Sequence, residues 1–74
     1  MKEDYIVIGT IENAIRLANI ADKCNFGIDV GDGNISIDAK SIIGLMNLNL
    51  NRPWKITYAG ESQVLTGFIA RNKK

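Results

Sequence analysis

Ser41 stands directly after Lys40 and directly before an apolar run, Ile42-Ile43-Gly44-Leu45-Met46-Asn47-Leu48. A serine there caps a helix. A hydroxyl at a helix start is also a place where a phosphate is stabilised, by unsatisfied N–H groups and the positive end of the helix dipole. The residues alone leave both roles open. Little else in the chain has the means for chemistry. There is no histidine and a single cysteine, Cys24, so a four-cysteine zinc site, a mixed Cys/His metal site and an intramolecular disulfide are all excluded. Glu12 and Asp22 lie ten residues apart without the marks of an acid/base pair. No serine, cysteine or lysine has an evident activating base. The expectation is a protein that is not an enzyme and needs no metal or other cofactor.

Two further stretches resemble sites and are better explained as structure. Gly31-Asp32-Gly33-Asn34 has the look of a glycine-rich phosphate loop, but it precedes a strand, and Ser36 stands where the third glycine of a dinucleotide fingerprint belongs. Asp29 to Asp38 lacks calcium-loop spacing. Trp54 and Tyr58 flank Lys55 and have the surfaces to stack bases, yet the chain has few aromatics and no basic stripe. Nucleic acid is therefore not the expected partner, and both rings are assigned to the core. Cys24 is expected to be a small packed residue.

The elements that must position Ser41 follow from periodicity. With 74 residues, 46% hydrophobic and 23% charged, the chain has room for one domain (1–74) with one modest core and is too apolar to be disordered. Tyr5-Ile6-Val7-Ile8 predicts a strand ended by Gly9, after which Thr10 stands as an N-cap with Glu12 in the first turn. Ile11, Ala14, Ile15, Ala18 and Ala21, widened by Leu17, form one apolar helical face. Ile28 with Val30 and Ile35 with Ile37 alternate with polar residues, predicting two strands closed by the Gly31–Asn34 turn through residues that tolerate positive φ.

Ser41 then opens one to two turns of helix, with asparagine available for a left-handed exit and Gly44 costing about 1 kcal/mol unless close packing requires it. Trp54, Ile56 and Tyr58 predict a strand, and Val64, Leu65, Phe68 and Ile69 a last helix. One antiparallel sheet covered on one face by helices buries every apolar stripe. Charge is uneven along this order: residues 1–38 carry net −4 and residues 39–74 net +5, so a face drawn from the second half would favour acidic partners. No apolar run nears the ~18 residues that span a bilayer, which together with the unpaired cysteine points to the cytoplasm and to no membrane insertion.

The order of elements and the run Asp38-Ala39-Lys40-Ser41-Ile42-Ile43-Gly44-Leu45-Met46-Asn47-Leu48 resemble the HPr family, the histidine-containing phosphocarriers of the bacterial sugar phosphotransferase system. The likeness is greatest to the serine-regulated members and their catabolite-repression paralogue. It runs without a gap from Asn25 to Tyr58 and is one of pattern outside that region. It implies an α+β, HPr-like open-faced β-sandwich: four antiparallel strands with three helices on one face, in the order βαββαβα. The family carries a phosphoryl group on a histidine at the start of the first helix, in a Gly-x-His-x-Arg-Pro motif. Extended back without a gap, the likeness puts Thr10 at the histidine, Glu12 at the arginine and Asn13 at the proline. A threonine phosphate is a stable ester and not a labile phosphoramidate. Glutamate replaces a phosphate clamp with a repelling charge. The relay is expected to be lost.

What the resemblance keeps is the Ser41 helix. In serine-regulated relatives the matching serine is phosphorylated by a dedicated kinase, and the modified form binds a transcriptional regulator of carbon metabolism. Ile42, Ile43 and Met46 face more directions than one buried stripe absorbs, and their family equivalents form an exposed docking patch. The expected docking set is Lys40, Ile42, Ile43, Met46 and Arg52, with Leu45 and Leu48 in the core. The implied partners are proteins: an HPr-type kinase, a regulator or phosphotransferase components. The alternative is a degenerate domain that is never modified and serves as a constitutive interaction or assembly module.

Overall fold

The computed structural model describes the whole chain, Met1–Lys74, and folds it into four strands and three amphipathic helices. In chain order they are β1 (Lys2–Ile6), α1 (Ile11–Lys23), β2 (Ile28–Gly31), β3 (Ser36–Asp38), α2 (Ile42–Met46), β4 (Trp54–Tyr58) and α3 (Gln63–Asn72). The strands lie side by side as β1-β4-β2-β3, each neighbour antiparallel to the next. Three helices cover one face, so the α+β open-faced sandwich expected from the order βαββαβα is the architecture found.

The register explains which side of each strand is inside. Ile6 lies opposite Trp54, and Val30 lies between Ile56 and Ile37, which puts the apolar alternates on the helix side. Leu17, Leu45, Leu65 and Phe68 close over them, each with almost no exposed surface. No polar or charged residue is buried. No helix is long and apolar enough to cross a membrane.

Several boundaries differ from the sequence expectation. β1 is Lys2–Ile6 and not residues 5–8, because Lys2-Glu3-Asp4 pair with Ile56-Thr57-Tyr58 of β4 while Val7 and Ile8 leave the sheet. Ile8 is still fully buried, and the backbone beyond the strand is held by Val7 N donating to Asn72 O and Gly9 N to Leu50 O. The β2–β3 turn uses no positive φ. Instead the Asp32 carboxylate accepts from the backbone N–H groups of Asn34 and Ile35, at 2.8 and 3.0 Å, which also holds its pKa below the usual carboxylate value. β3 excludes Ile35, which is 42% exposed. Asn47 closes α2 in the right-handed region and not the left-handed one.

Candidate functional site

Two helix starts carry the residues singled out by sequence, and each is built by a hydroxyl cap. At α2, Ser41 N donates to the Asp38 carbonyl at 2.9 Å, Lys40 N donates to the Asp38 carboxylate at 3.0 Å, and Ser41 Oγ accepts from Gly44 N at 3.2 Å. Ser41 thus sits exposed at the head of a single turn of helix. Gly44 has a packing reason: a Cβ there would lie 2.8 Å from Ile37 Cγ2 and 3.0 Å from Ser41 Oγ. The missing side chain lets α2 rest against β3.

That close seating decides which apolar residues of α2 face inward. Leu45 is fully buried, and Ile42 and Leu48 are half-buried against the core. Ile43 is 74% exposed and Met46 48%. The expected docking set is therefore divided: Ile43 and Met46 project into solvent, whereas Ile42 is partly part of the core. Ile42 and Lys40 line a shallow groove between α1 and α2 with Ile15, Ala18, Asn19 and Asp22.

Sequence reasoning missed the contribution of α1 to this surface. Ile11 and Ile15, placed on the buried stripe, are 52% and 45% exposed, while Leu17, Ile20 and the alanines at 14, 18 and 21 face the core. The apolar arc of α1 is wider than the face the sheet can cover, and its two N-terminal isoleucines lie on the flank. The bulky pair Leu17 and Ile20, taken as the centre of the buried face, would have exposed this.

Thr10 is the N-cap of α1, its Oγ1 accepting from Asn13 N at 3.1 Å. Gly9, at φ +84°, turns the chain into it, a conformation that only glycine adopts without strain. Asn13 fastens the turn: Nδ2 donates to Ile8 O at 2.9 Å and to Asn72 Oδ1 at 3.2 Å, and Oδ1 accepts from Arg16 at 3.1 Å. Asn72 in turn donates to Phe68 O at 2.8 Å. The hydroxyl at the start of α1 is engaged as a cap, and the charge in the first turn is that of Glu12, which is exposed and forms no ion pair.

The remaining polar candidates lie elsewhere. Arg52 sits 4.4 Å over the Trp54 ring and 3.9 Å from Asp32, and it lines a groove with Tyr5, Pro53 and Lys74 rather than with Lys40. Trp54 is buried, its indole N–H donating to Asn49 O at 2.8 Å, so it offers no face to a base. Tyr58 donates to Asp4 at 2.8 Å. Together with Lys73 at 3.2 Å, that bond holds the Asp4 carboxyl below its usual range, while the same carboxylate raises the Tyr58 phenol. Cys24 is half-buried against the core. No three carboxylate or thiol groups converge to hold a metal ion.

No protein-family model matches the chain, and no curated protein matches its sequence. A solved structure does: the crystal structure of HPr-C-His from Thermoanaerobacter tengcongensis is similar with a TM-score of 0.75 and 25% identity, over 95% of this chain and 89% of that one. The fold is therefore HPr-like.

Proposed function

We propose, from the HPr-like fold, that this chain is a regulatory binding module related to the phosphotransferase phosphocarriers, cytoplasmic and without enzymatic activity, and not itself a phosphohistidine carrier. The observation that carries the reading is the exposure of four large apolar side chains, Ile43 and Met46 of α2 and Ile11 and Ile15 of α1, on two packed helices that share the groove lined by Ile15, Lys40 and Ile42. Four large apolar side chains in solvent on two packed helices are a docking surface for a protein. Thr10 and Glu12 support the loss of the relay, since at the head of α1 they supply a capping hydroxyl and a negative charge where a phosphocarrier needs an imidazole and a cation.

Ser41 is the regulatory position in this reading. Its side chain is at the surface, beside Lys40 and at the edge of the apolar patch. A phosphoryl group there adds about 1.5 to 2 negative charges, enough to change which partner the patch accepts. The partners are an HPr-type kinase and, for the modified form, a transcriptional regulator or phosphotransferase component. Incubation with an HPr-type kinase and ATP, followed by mass spectrometry, tests this. The expected result is one added phosphoryl group that disappears in Ser41→Ala; no addition, or one that survives the substitution, defeats it. Separately, Ile43→Asp is expected to abolish partner capture without unfolding the protein.

A specific contact favours the second reading, a constitutive module without modification. Asp38 shares the turn with Ser41 and its carboxylate already holds Lys40 N, so a phosphate on Ser41 would meet a like charge at close quarters. Docking through Ile43 and Met46 that is indifferent to Ser41→Asp is the outcome this alternative requires.

A further inference from the structure

The cations in the second half of the chain are not used alike. Lys55 lies 4.0 Å from Glu3 and Lys73 3.2 Å from Asp4, whereas Arg52 and Lys74 meet in the groove they share with Tyr5 and Pro53, which no carboxylate lines. Backbone bonds and packing set both walls. The Lys74 N–H donates to the Tyr5 carbonyl at 3.0 Å, next to the Ile6–Lys73 bridge, so Lys74 is laid beside the strand residue whose phenol stands exposed. Arg52 is held from the other side. Its Cζ lies 4.4 Å over the Trp54 ring, and Trp54 is itself buried and fixed by its bond to Asn49 O. Stacking orients the guanidinium plane without using its N–H groups.

The donors of this groove are unspent. No hydrogen bond within the chain takes up the Arg52 guanidinium, the Tyr5 hydroxyl or the Lys74 ammonium, and Lys74 forms no ion pair. Asp32 is the acid beside Arg52, and its Oδ2 comes no nearer than 3.9 Å to the guanidinium. A charge-assisted hydrogen bond is about 2.7 to 2.9 Å long. The other oxygen of Asp32 is committed to the backbone N–H groups of Asn34 and Ile35. A planar fork, an ammonium and a phenol therefore face one space with nothing in the chain to satisfy them.

We infer that this groove binds a phosphate monoester. The phosphate brings three terminal oxygens and about 1.5 to 2 negative charges to three donor groups and the two positive charges of Arg52 and Lys74. A carboxylate has two oxygens and one charge, and would leave a cation unmatched. The fork takes two oxygens side by side, as guanidinium does with phosphate, and the ammonium and the phenol take the third. Tyr5 and Pro53 supply ring surface against which the esterified group rests. The site is open to solvent, so its affinity is modest and falls with added salt. It rests neither on Ser41 nor on the α1–α2 docking patch.

Titration of the 15N-labelled full chain with phenyl phosphate, at constant low ionic strength, is the test. The amide signals of Tyr5, Arg52, Trp54 and Lys74 are expected to shift together, with a dissociation constant of about a millimolar, and acetate is expected to bind at least about tenfold more weakly. Arg52→Lys keeps the charge and loses the fork, and should weaken binding at least about fivefold. Tyr5→Phe and Lys74→Ala should each weaken it without touching the Trp54 stack, and all three should keep native circular dichroism. Arg71→Ala removes an equal charge from α3 and should bind as the wild type does. A phosphoserine peptide titrated in parallel separates the sources of the ester: tighter binding than phenyl phosphate assigns the groove to a phosphorylated protein, weaker binding to a small molecule. The inference is overturned by an absence of shifts up to about 20 mM, by equal binding of acetate, by an Arg52→Lys variant that binds unchanged, or by an equal loss in Arg71→Ala.

Discussion

Replacing Gly44 by alanine sets two effects of similar size against each other in the helix that carries Ser41. Helix propensity by itself favours alanine by about 1 kcal/mol at an interior helical position. The new methyl, however, lies 2.8 Å from Ile37 Cγ2 and 3.0 Å from Ser41 Oγ, well inside van der Waals contact. Neither neighbour yields cheaply. Ile37 is half-buried in a three-residue strand, and its Cγ2 sits on a β-branched carbon with a stiff χ1; rotating Ser41 breaks the cap on Gly44 N. Overpacking of this kind costs about 1 to 3 kcal/mol, so the net is a destabilisation of about 1 kcal/mol. Urea denaturation followed by circular dichroism reads this directly. In an Ile37→Ala background the obstructing methyl is gone, and the same Gly44→Ala change should become neutral or stabilising, a coupling of roughly 1 kcal/mol or more. A single Gly44→Ala variant more stable than the wild type would show that α2 is not seated against β3 as described.

The Asp4–Tyr58 bond makes stability depend on pH at the acid end. The Asp4 carboxyl is held below its usual pKa first by the Tyr58 hydroxyl and then by Lys73, so its contribution is complete above the unfolded value near 4 and is lost as pH falls through the lower folded value. Tyr58→Phe should cost about 1 kcal/mol at neutral pH and flatten the acid limb of a stability–pH curve measured by urea titration. Asn13→Ala removes the donor to Ile8 O and Asn72 and the acceptor for Arg16. A loss of about 1 to 2 kcal/mol in denaturant melts is expected, and none would mean that the turn before α1 is held by Gly9 and the Thr10 cap alone. Asp29→Thr, which relieves the Asp29–Asp38 opposition, should stabilise the protein by roughly 0.2 to 1 kcal/mol in low salt, with the gain shrinking as salt rises. An unchanged midpoint would show that the two carboxylates already avoid each other.

The number, kind and order of elements were legible in the sequence because each rests on a local rule. Alternation marks β2 and β4, Thr10 and Ser41 start α1 and α2 by capping, and both caps are made as expected. The absence of histidine is likewise a matter of composition alone. What the sequence left undecided needed a neighbour. Lys2-Glu3-Asp4 has no strand propensity and becomes β1 only because β4 offers it a ladder, and the β2–β3 turn is set by one carboxylate rather than by glycine conformations. Ile11 and Ile15 satisfy helical periodicity as fully as Leu17 does, yet only the position of the sheet decides which flank of α1 remains uncovered. In α2, Ile42 and Ile43 are adjacent and chemically identical; the contact of Gly44 with Ile37 fixes the rotation that half-buries one and exposes the other. Local sequence determines where Ser41 stands on its helix. Only packing between elements determines what surface lies beside it, because an exposed apolar face is made of the side chains that the core has no room to take.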